Sequence, residues 1–297
     1  LLGAISDKIV DEGTSLSFVV SATDPDAGQS LTYSLNSNAP AGATINPSTG
    51  QFNWTPTEQQ GPGTFSFSIT VADNGSGNLR NTRAFSVTVN EVNQAPVLTA
   101  IANRSVFEGS ELRFTTVATD ADLPKQSLTF SLSAGAPQGA TIDQTTGEFT
   151  WRPTESQGPA TYSVTAIVSD SGTPILSSFQ TFTIFVQEAN QPPVLSAIGP
   201  RLVSLGSPLR FTASATDADQ PVNILRFSLG PDVPAGSTID ENTGEFDWTP
   251  SANQGGQTYD VTVNVTDDGV PKYFESETLS IHVNSLPVAQ TSSVVLN

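Results

Sequence analysis

Carboxylates recur along this chain at an almost constant interval. Asp24, Asp120 and Asp217 are separated by 96 and then 97 residues, and each is followed two positions later by a second aspartate, Asp26, Asp122 or Asp219. Asp73, Asp170 and Asp267 repeat at 97 residues. Three glutamates repeat only once: Glu12 with Glu108, Glu58 with Glu155, Glu91 with Glu188. Their third counterparts are Leu205, Ala252 and Ser285. An Asp-x-Asp pair spaced by one Pro or Ala lets both side chains leave a non-helical turn on the same side. Hard oxygen donors in such number, with backbone carbonyls nearby, suit Ca²⁺ better than Mg²⁺. The competing account is that each aspartate caps a turn. The grouped loss of three glutamates favours the cation, because residues lost together share one site and turn caps have no reason to partition that way.

Other chemistry finds little support. There is no cysteine, so disulfides, thiolate metal sites and a cysteine nucleophile are excluded. The single histidine, His282, sits between Ile281 and Val283 in an expected last strand and should face solvent. Neither a Gly-x-Ser-x-Gly elbow nor a His-Glu-x-x-His pair occurs. A glycosidase pair could hide among the carboxylates, but their recurrence in three copies is better explained by structure, and the chain is read as non-enzymatic. Eleven Lys+Arg against 29 Asp+Glu give a formal net charge of −18, which disfavours nucleic acid and anionic membrane surfaces. No apolar run is long enough to span a bilayer.

The elements that carry these acids follow the same period. Trp54, Trp151 and Trp248 are 97 residues apart, as are Gly50, Gly147 and Gly244. Three modules are expected, 1–93, 94–190 and 191–286, with 287–297 starting a following segment or tail. The opening Leu1–Ile5 matches Val97–Ile101 and Val194–Ile198 in position and is no signal peptide. The chain therefore reads as beginning inside a repeat of a longer parent. In the second module Leu112–Ala118, Leu128–Leu132, Tyr162–Val168 and Phe179–Val186 alternate apolar and polar, and Thr145-Thr146-Gly147 turns the chain into Glu148–Trp151. The expected fold is all-β: three tandem Greek-key, seven-stranded β-sandwiches in an extended rod. The tryptophans are expected in the cores.

These residues resemble a known family. Ala-Thr-Asp-Pro-Asp (22–26) and the two Ala-Thr-Asp-Ala-Asp segments (118–122, 215–219) resemble the Asp-x-Asp motif of cadherin repeats. Val-Ala-Asp-Asn-Gly (71–75), Val-Ser-Asp-Ser-Gly (168–172) and Val-Thr-Asp-Asp-Gly (265–269) resemble the cadherin Ala-x-Asp-x-Gly segment. Glu-Val-Asn-Gln-Ala-Pro (91–96) looks like a cadherin linker one residue short. The Thr-Gly-x-Phe-x-Trp-x-Pro signature (49–56, 146–153, 243–250) is more similar to bacterial dystroglycan-type cadherin-like, or Ig-like, modules of large surface or secreted proteins.

The resemblance implies Ca²⁺ held between the base of one module and the top of the next. The first joint would use Glu12, Glu58, Glu91 and Asn93 with Asp120, Asp122 and Asp170. The second would use Glu108, Glu155, Glu188 and Asn190 with Asp217, Asp219 and Asp267. Asp24, Asp26 and Asp73 would form an open half-site. Of the family's Leu-Asp-Arg-Glu only Glu58 and Glu155 carry over, and Gln94 and Gln191 replace the linker's second aspartate, so fewer ions per joint than in cadherins are expected. Carboxylates gathered at one joint could not all stay ionised without a cation.

The implied function is a calcium-rigidified part of an extracellular or cell-surface adhesin or spacer rod. Its partners would be neighbouring modules of the same chain, other surface proteins or polysaccharide. A carbohydrate-binding accessory module is the alternative, which needs exposed aromatics such as Tyr273 with Phe274, or Phe179.

Overall fold

Period-two alternation puts every second side chain on one face of a strand, and each repeat folds so that two such faces meet. The computed structural model describes residues 1–26 and 28–285; the expected tail at 287–297 lies outside them. The first repeat has seven strands: β1 (Lys8–Asp11), β2 (Leu16–Val19), β3 (Leu31–Leu35), β4 (Thr44–Ile45), β5 (Gln51–Trp54), β6 (Gly63–Asp73) and β7 (Arg80–Asn90). One sheet has the order β1-β7-β6-β3 and the other β2-β5-β4. The long hairpin β6–β7 is antiparallel, while β1 runs parallel to β7 with Asp11 opposite Asn90. That parallel pairing carries the start of the repeat to its far end, where the next repeat begins.

The second and third repeats have the same two sheets. They add a two-stranded ladder, Val97–Leu98 with Ala118–Thr119 and Val194–Leu195 with Ala215–Thr216, where the first repeat has a single bridge between Leu2 and Ala22. The expected strand Leu112–Ala118 is therefore two pieces, Leu112–Thr115 and Ala118–Thr119. The break is at Thr116, whose N–H and hydroxyl both donate to the Gly147 carbonyl at 2.9 Å. Beyond it the chain leaves one partner for another.

Each sandwich owns a separate apolar core. Trp54, Trp151 and Trp248 are at most 1% exposed, and each indole N–H donates to a loop carbonyl, of Ala41, Gln138 or Ala235. Burying the ring and satisfying its one polar atom makes this residue a core anchor. Trp151→Ala should cost about 3–5 kcal/mol, read as a loss of the second module's cooperative unfolding in a denaturant titration; a cost under about 1 kcal/mol would contradict that role. Gly147 turns into the same strand at φ 70°, and the Thr116 carbonyl lies 2.9 Å from where a Cβ would sit. Both the conformation and the space call for glycine.

Candidate metal centres at the two joints

The base of the first repeat assembles three acids from two strand ends and a 3-10 turn. Glu12 follows β1, and its N–H donates to the Asn90 carbonyl at 3.1 Å, so the β1–β7 register sets it beside Glu91. Glu58 opens a short 3-10 turn, Glu58–Gln60. That turn is held by Gln60, whose Oε1 accepts from the Thr57 N–H at 2.9 Å and whose Nε2 donates to the Ala41 carbonyl at 3.2 Å. Glu12, Glu58 and Glu91 each present a carboxylate oxygen within 4.8 Å of the others, and Glu108, Glu155 and Glu188 do the same at the second joint. Glycine makes room: a Cβ on Gly61 or Gly158 would lie 2.0 Å from Oε2 of Glu12 or Glu108.

The following repeat closes each cluster from above. The Asp122 N–H donates to Asp120 Oδ1 at 2.9 Å, and the Asp219 N–H to Asp217 Oδ1 at 3.0 Å, turns that keep both carboxylates on one side. Asp122 and Asp219 are buried, and the linker N–H groups of Gln94 and Gln191 donate to them. Glu58 reaches across, accepting from the Leu123 N–H at 2.9 Å and from Gln94 Nε2 at 3.0 Å; Glu155 accepts from the Gln220 N–H at 2.8 Å and Gln191 Nε2 at 2.9 Å. Gln94 and Gln191, read from the sequence as missing aspartates, are donors to the base glutamates.

Asp170 and Asp267 differ from the other acids. Asp170 accepts from the N–H groups of Leu176 and Gly172 at 3.0 Å and from Asn93 Nδ2 at 3.1 Å. Burial pushes its pKa up, but the Leu176 and Gly172 N–H groups and the Asn93 amide outweigh it, and the carboxyl lies below its usual range. Asp267 accepts equivalent bonds from Gly269, Tyr273 and Asn190. The side chains of Asn93 and Asn190 thus point into the following repeat.

The remaining oxygens have no donor. Glu12 Oε2, both oxygens of Glu91, Asp120 Oδ2 and Asp122 Oδ1 are buried without a hydrogen-bond partner at the first joint; at the second, Glu108 Oε2, both oxygens of Glu188 and Asp217 Oδ2 are. Burial first, then the charges of Glu12, Glu58 and Asp122, push Glu91 up to about 7. Burial and then Glu108 push Glu188 to about 7. Burial also raises Glu12, Glu108, Asp122 and Asp219. Among the described residues no Lys or Arg comes within ion-pair distance of these acids.

A turn-capping acid looks different. Asp143 Oδ1 accepts from the Thr145 and Thr146 N–H groups at 2.9 and 2.7 Å, and those bonds, Thr146 first, hold its pKa below the usual value. Glu12, Glu91, Glu108 and Glu188 show the opposite shift. The base glutamates are not needed by the local fold either: Ser251 and Gln254 hold the third repeat's turn as Thr57 and Gln60 hold the first, with Ala252 in the acid's place. There Leu205 packs 3.3 Å from a Cβ on Gly255, an apolar substitute for Glu12 against Gly61. Buried oxygens with raised pKa values, carboxylate chemistry and no counter-charge fit a hard divalent cation.

Asp24, Asp26 and Asp73 form the same turns at the upper end of the first repeat, with Asp26 exposed. His282 is exposed, with Nδ1 3.0 Å from the Thr258 hydroxyl. Phe179, Tyr273 and Phe274 are also exposed. The packing glycines and the amides of Gln126 and Asn223, which reach Asp122 and Asp219, were not singled out from the sequence. Recurrence was their available signal: Gly61 and Gly158 share the 97-residue step, as do Gln126 and Asn223.

Comparison with known proteins identifies the family of these repeats. The model of the family described as "Putative Ig domain" matches residues 1–90, 95–187 and 192–284, and the chain belongs to that family. It is 27% identical over 287 residues to Protocadherin Fat 1 of Homo sapiens, covering 90% of this chain and 6% of that protein. It is 29% identical over 241 residues to the Protocadherin-like wing polarity protein stan of Drosophila melanogaster, covering 73% and 7%. The chain thus spans a small fraction of the length of these relatives. In structure it is similar to mouse cadherin-23 EC22-24, with TM-score 0.51, 20% identity and coverage of 95% and 96% of the two chains. It is also similar to protocadherin gamma B2 extracellular cadherin domains 1–5, with TM-score 0.54, 17% identity and coverage of 97% and 60%. These likenesses agree with the all-β, Ig/cadherin-like sandwich repeats described above. No helix among the described residues is long and apolar enough to cross a membrane.

Proposed function

We propose that this chain is a calcium-stiffened stretch of an extracellular adhesin or spacer rod, with Ca²⁺ held at the two joints. The observation that carries the reading is the pair of glutamate triads, Glu12/Glu58/Glu91 and Glu108/Glu155/Glu188, with buried oxygens unpartnered beneath Asp120/Asp122 and Asp217/Asp219. The triads and those aspartates supply the ligand oxygens; Asp170 and Asp267 set the linker asparagines in place beside them. Bound Ca²⁺ supplies the positive charge that lets all these carboxylates ionise, and the protein's own contribution is to aim them from two modules at one point. A joint tied in this way loses hinge freedom, so a string of sandwiches becomes a rod. Extracellular modules hold calcium with dissociation constants of about 10⁻⁴–10⁻³ M, which would make the rod stiff outside a cell and loose within one. The Thr-Gly-x-Phe-x-Trp-x-Pro signature supports a bacterial, dystroglycan-type origin for the modules.

The test is calorimetric titration with Ca²⁺ and with Mg²⁺, alongside small-angle scattering in EDTA and in 10 mM Ca²⁺. The expected result is calcium-selective binding that lengthens and straightens the particle. Asp120→Ala and Asp217→Ala should each remove one joint's share of the binding. No uptake and an unchanged particle would end this reading, and Tyr273, Phe274 and Phe179 would then be tested for polysaccharide binding.

A further inference from the structure

Each joint contains an amide that the carboxylate clusters do not account for. Asn93 Nδ2 donates to the Pro174 carbonyl at 2.7 Å and to Asp170 Oδ2 at 3.1 Å. Both partners accept, which fixes the Asn93 carbonyl oxygen on the other side. There Asn93 Oδ1 and Asp122 Oδ2 converge on one atom, Gln126 Nε2, which lies 2.8 Å from the aspartate. Two acceptors meeting at one point are satisfied by a donor or a cation; here the amide nitrogen of Gln126 faces them, and its Oε1 is buried without a partner.

The second joint repeats this arrangement with a different residue. Asn190 Nδ2 donates to Pro271 at 2.7 Å and Asp267 at 3.1 Å, and Asn223 Nδ2 bridges Asn190 Oδ1 at 2.6 Å and Asp219 Oδ2 at 2.7 Å. Asparagine is one methylene shorter than glutamine, yet its nitrogen makes the same two bonds. Gln29, at this position in the first repeat, reaches Asp26 Oδ2 at 3.3 Å. The fit is tight, since a Cβ on Gly172 or Gly269 would lie 1.8 or 1.7 Å from the asparagine oxygen.

We infer that Gln126 and Asn223 close to cations the one position between the linker asparagine oxygen and Oδ2 of Asp122 or Asp219 and, in a cation's place, weld the linker asparagine to the module that follows. This rests on the calcium reading for the closed position, but the weld stands without it. A hydrogen bond to a carboxylate is among the stronger ones, and the amide needs no ion to make it. Each joint then loads only on its base glutamates and the Asp-x-Asp side, while the linker stays with the following module when calcium is withdrawn.

Two variant pairs test this in the full chain. In EDTA, Gln126→Ala with Asn223→Ala should speed hydrogen exchange of the Gln94 and Gln191 N–H groups, which bond to Asp122 and Asp219, at least tenfold. The isosteric pair Gln126→Glu with Asn223→Asp replaces the donor by an acceptor and should bind one more Ca²⁺ per joint than the wild type, with circular dichroism confirming the fold. Unchanged exchange in the alanine pair overturns the inference. So does an unchanged stoichiometry in the acidic pair when the wild type binds Ca²⁺. If the wild type binds none, the calcium reading fails by itself and the exchange result alone decides the weld.

Discussion

In EDTA the protein should lose stability as the pH rises from about 4.5 to about 7, and millimolar Ca²⁺ should remove that loss. Glu91 and Glu188 have folded-state pKa values near 7 against 4.5 for a free glutamate. Between those values the folded chain keeps protons that the unfolded chain has released, so stability falls as the pH rises. The contribution is fully present below 4.5 and gone above about 7. At about 1.36 kcal/mol per pKa unit, each glutamate accounts for roughly 3 kcal/mol as an upper value. In modules of this size that corresponds to ~10 °C or more in melting temperature. Calcium competes for the same oxygens and needs them ionised, so its stabilising increment should be small at pH 5 and large at pH 7.5. Melting curves at those two pH values, each in EDTA and in 10 mM Ca²⁺, decide it. Equal increments at both, or a flat profile in EDTA, would mean that the glutamates do not share a cation.

The second large effect comes from moving the third module's base onto the second. Glu108→Leu, Glu155→Ala and Glu188→Ser together copy Leu205, Ala252 and Ser285. The apolar base already exists in the third repeat, where Leu205 packs against Gly255, so the triple variant has a tested packing to adopt. In EDTA at pH 7.5 it should gain up to roughly 3 kcal/mol by removing the carboxyl at 188, which burial and Glu108 push up to about 7. The loss of the Gln220 and Gln191 bonds to Glu155 offsets about 1 kcal/mol of that. It should also lose the second joint's calcium response entirely while the first joint responds as before. A variant that is less stable in EDTA, or that still takes up calcium at the second joint, would show that these acids are part of the fold and not of an ion site.

How far the sequence could be read depends on what leaves a period. The sandwiches and their tryptophan anchors were legible because burial imposes both alternation along a strand and recurrence from module to module. The base acids were legible because their third copies disappear together. The strand break at Thr116 was not, since alternation continues through 112–118 and the change of partner depends on Gly147 across the sheet. The donor role of Gln94 and Gln191, read from the sequence only as replacements for an aspartate, was not legible because it appears only when the acceptor, Glu58 or Glu155, is placed beside it. The amides of Gln126 and Asn223 differ in type between copies, which hides a shared position from any search for identical residues. Gly61 and Gly158 are set by the space that a glutamate from a distant strand occupies, and nothing local marks them.

The division of each acid cluster between the bottom of one repeat and the top of the next has a consequence for how such chains grow. Neither half is complete alone, yet each of the first two copies carries both. A tandem duplication of one 97-residue unit therefore creates a finished junction at the new seam without any further mutation, and a chain of n equal units has n − 1 of them. Ending the series requires change at only one side of a seam. The third repeat, with Leu205, Ala252 and Ser285 below and Asp217, Asp219 and Asp267 above, has the composition of such a terminator: it accepts a predecessor and offers no acids to a successor.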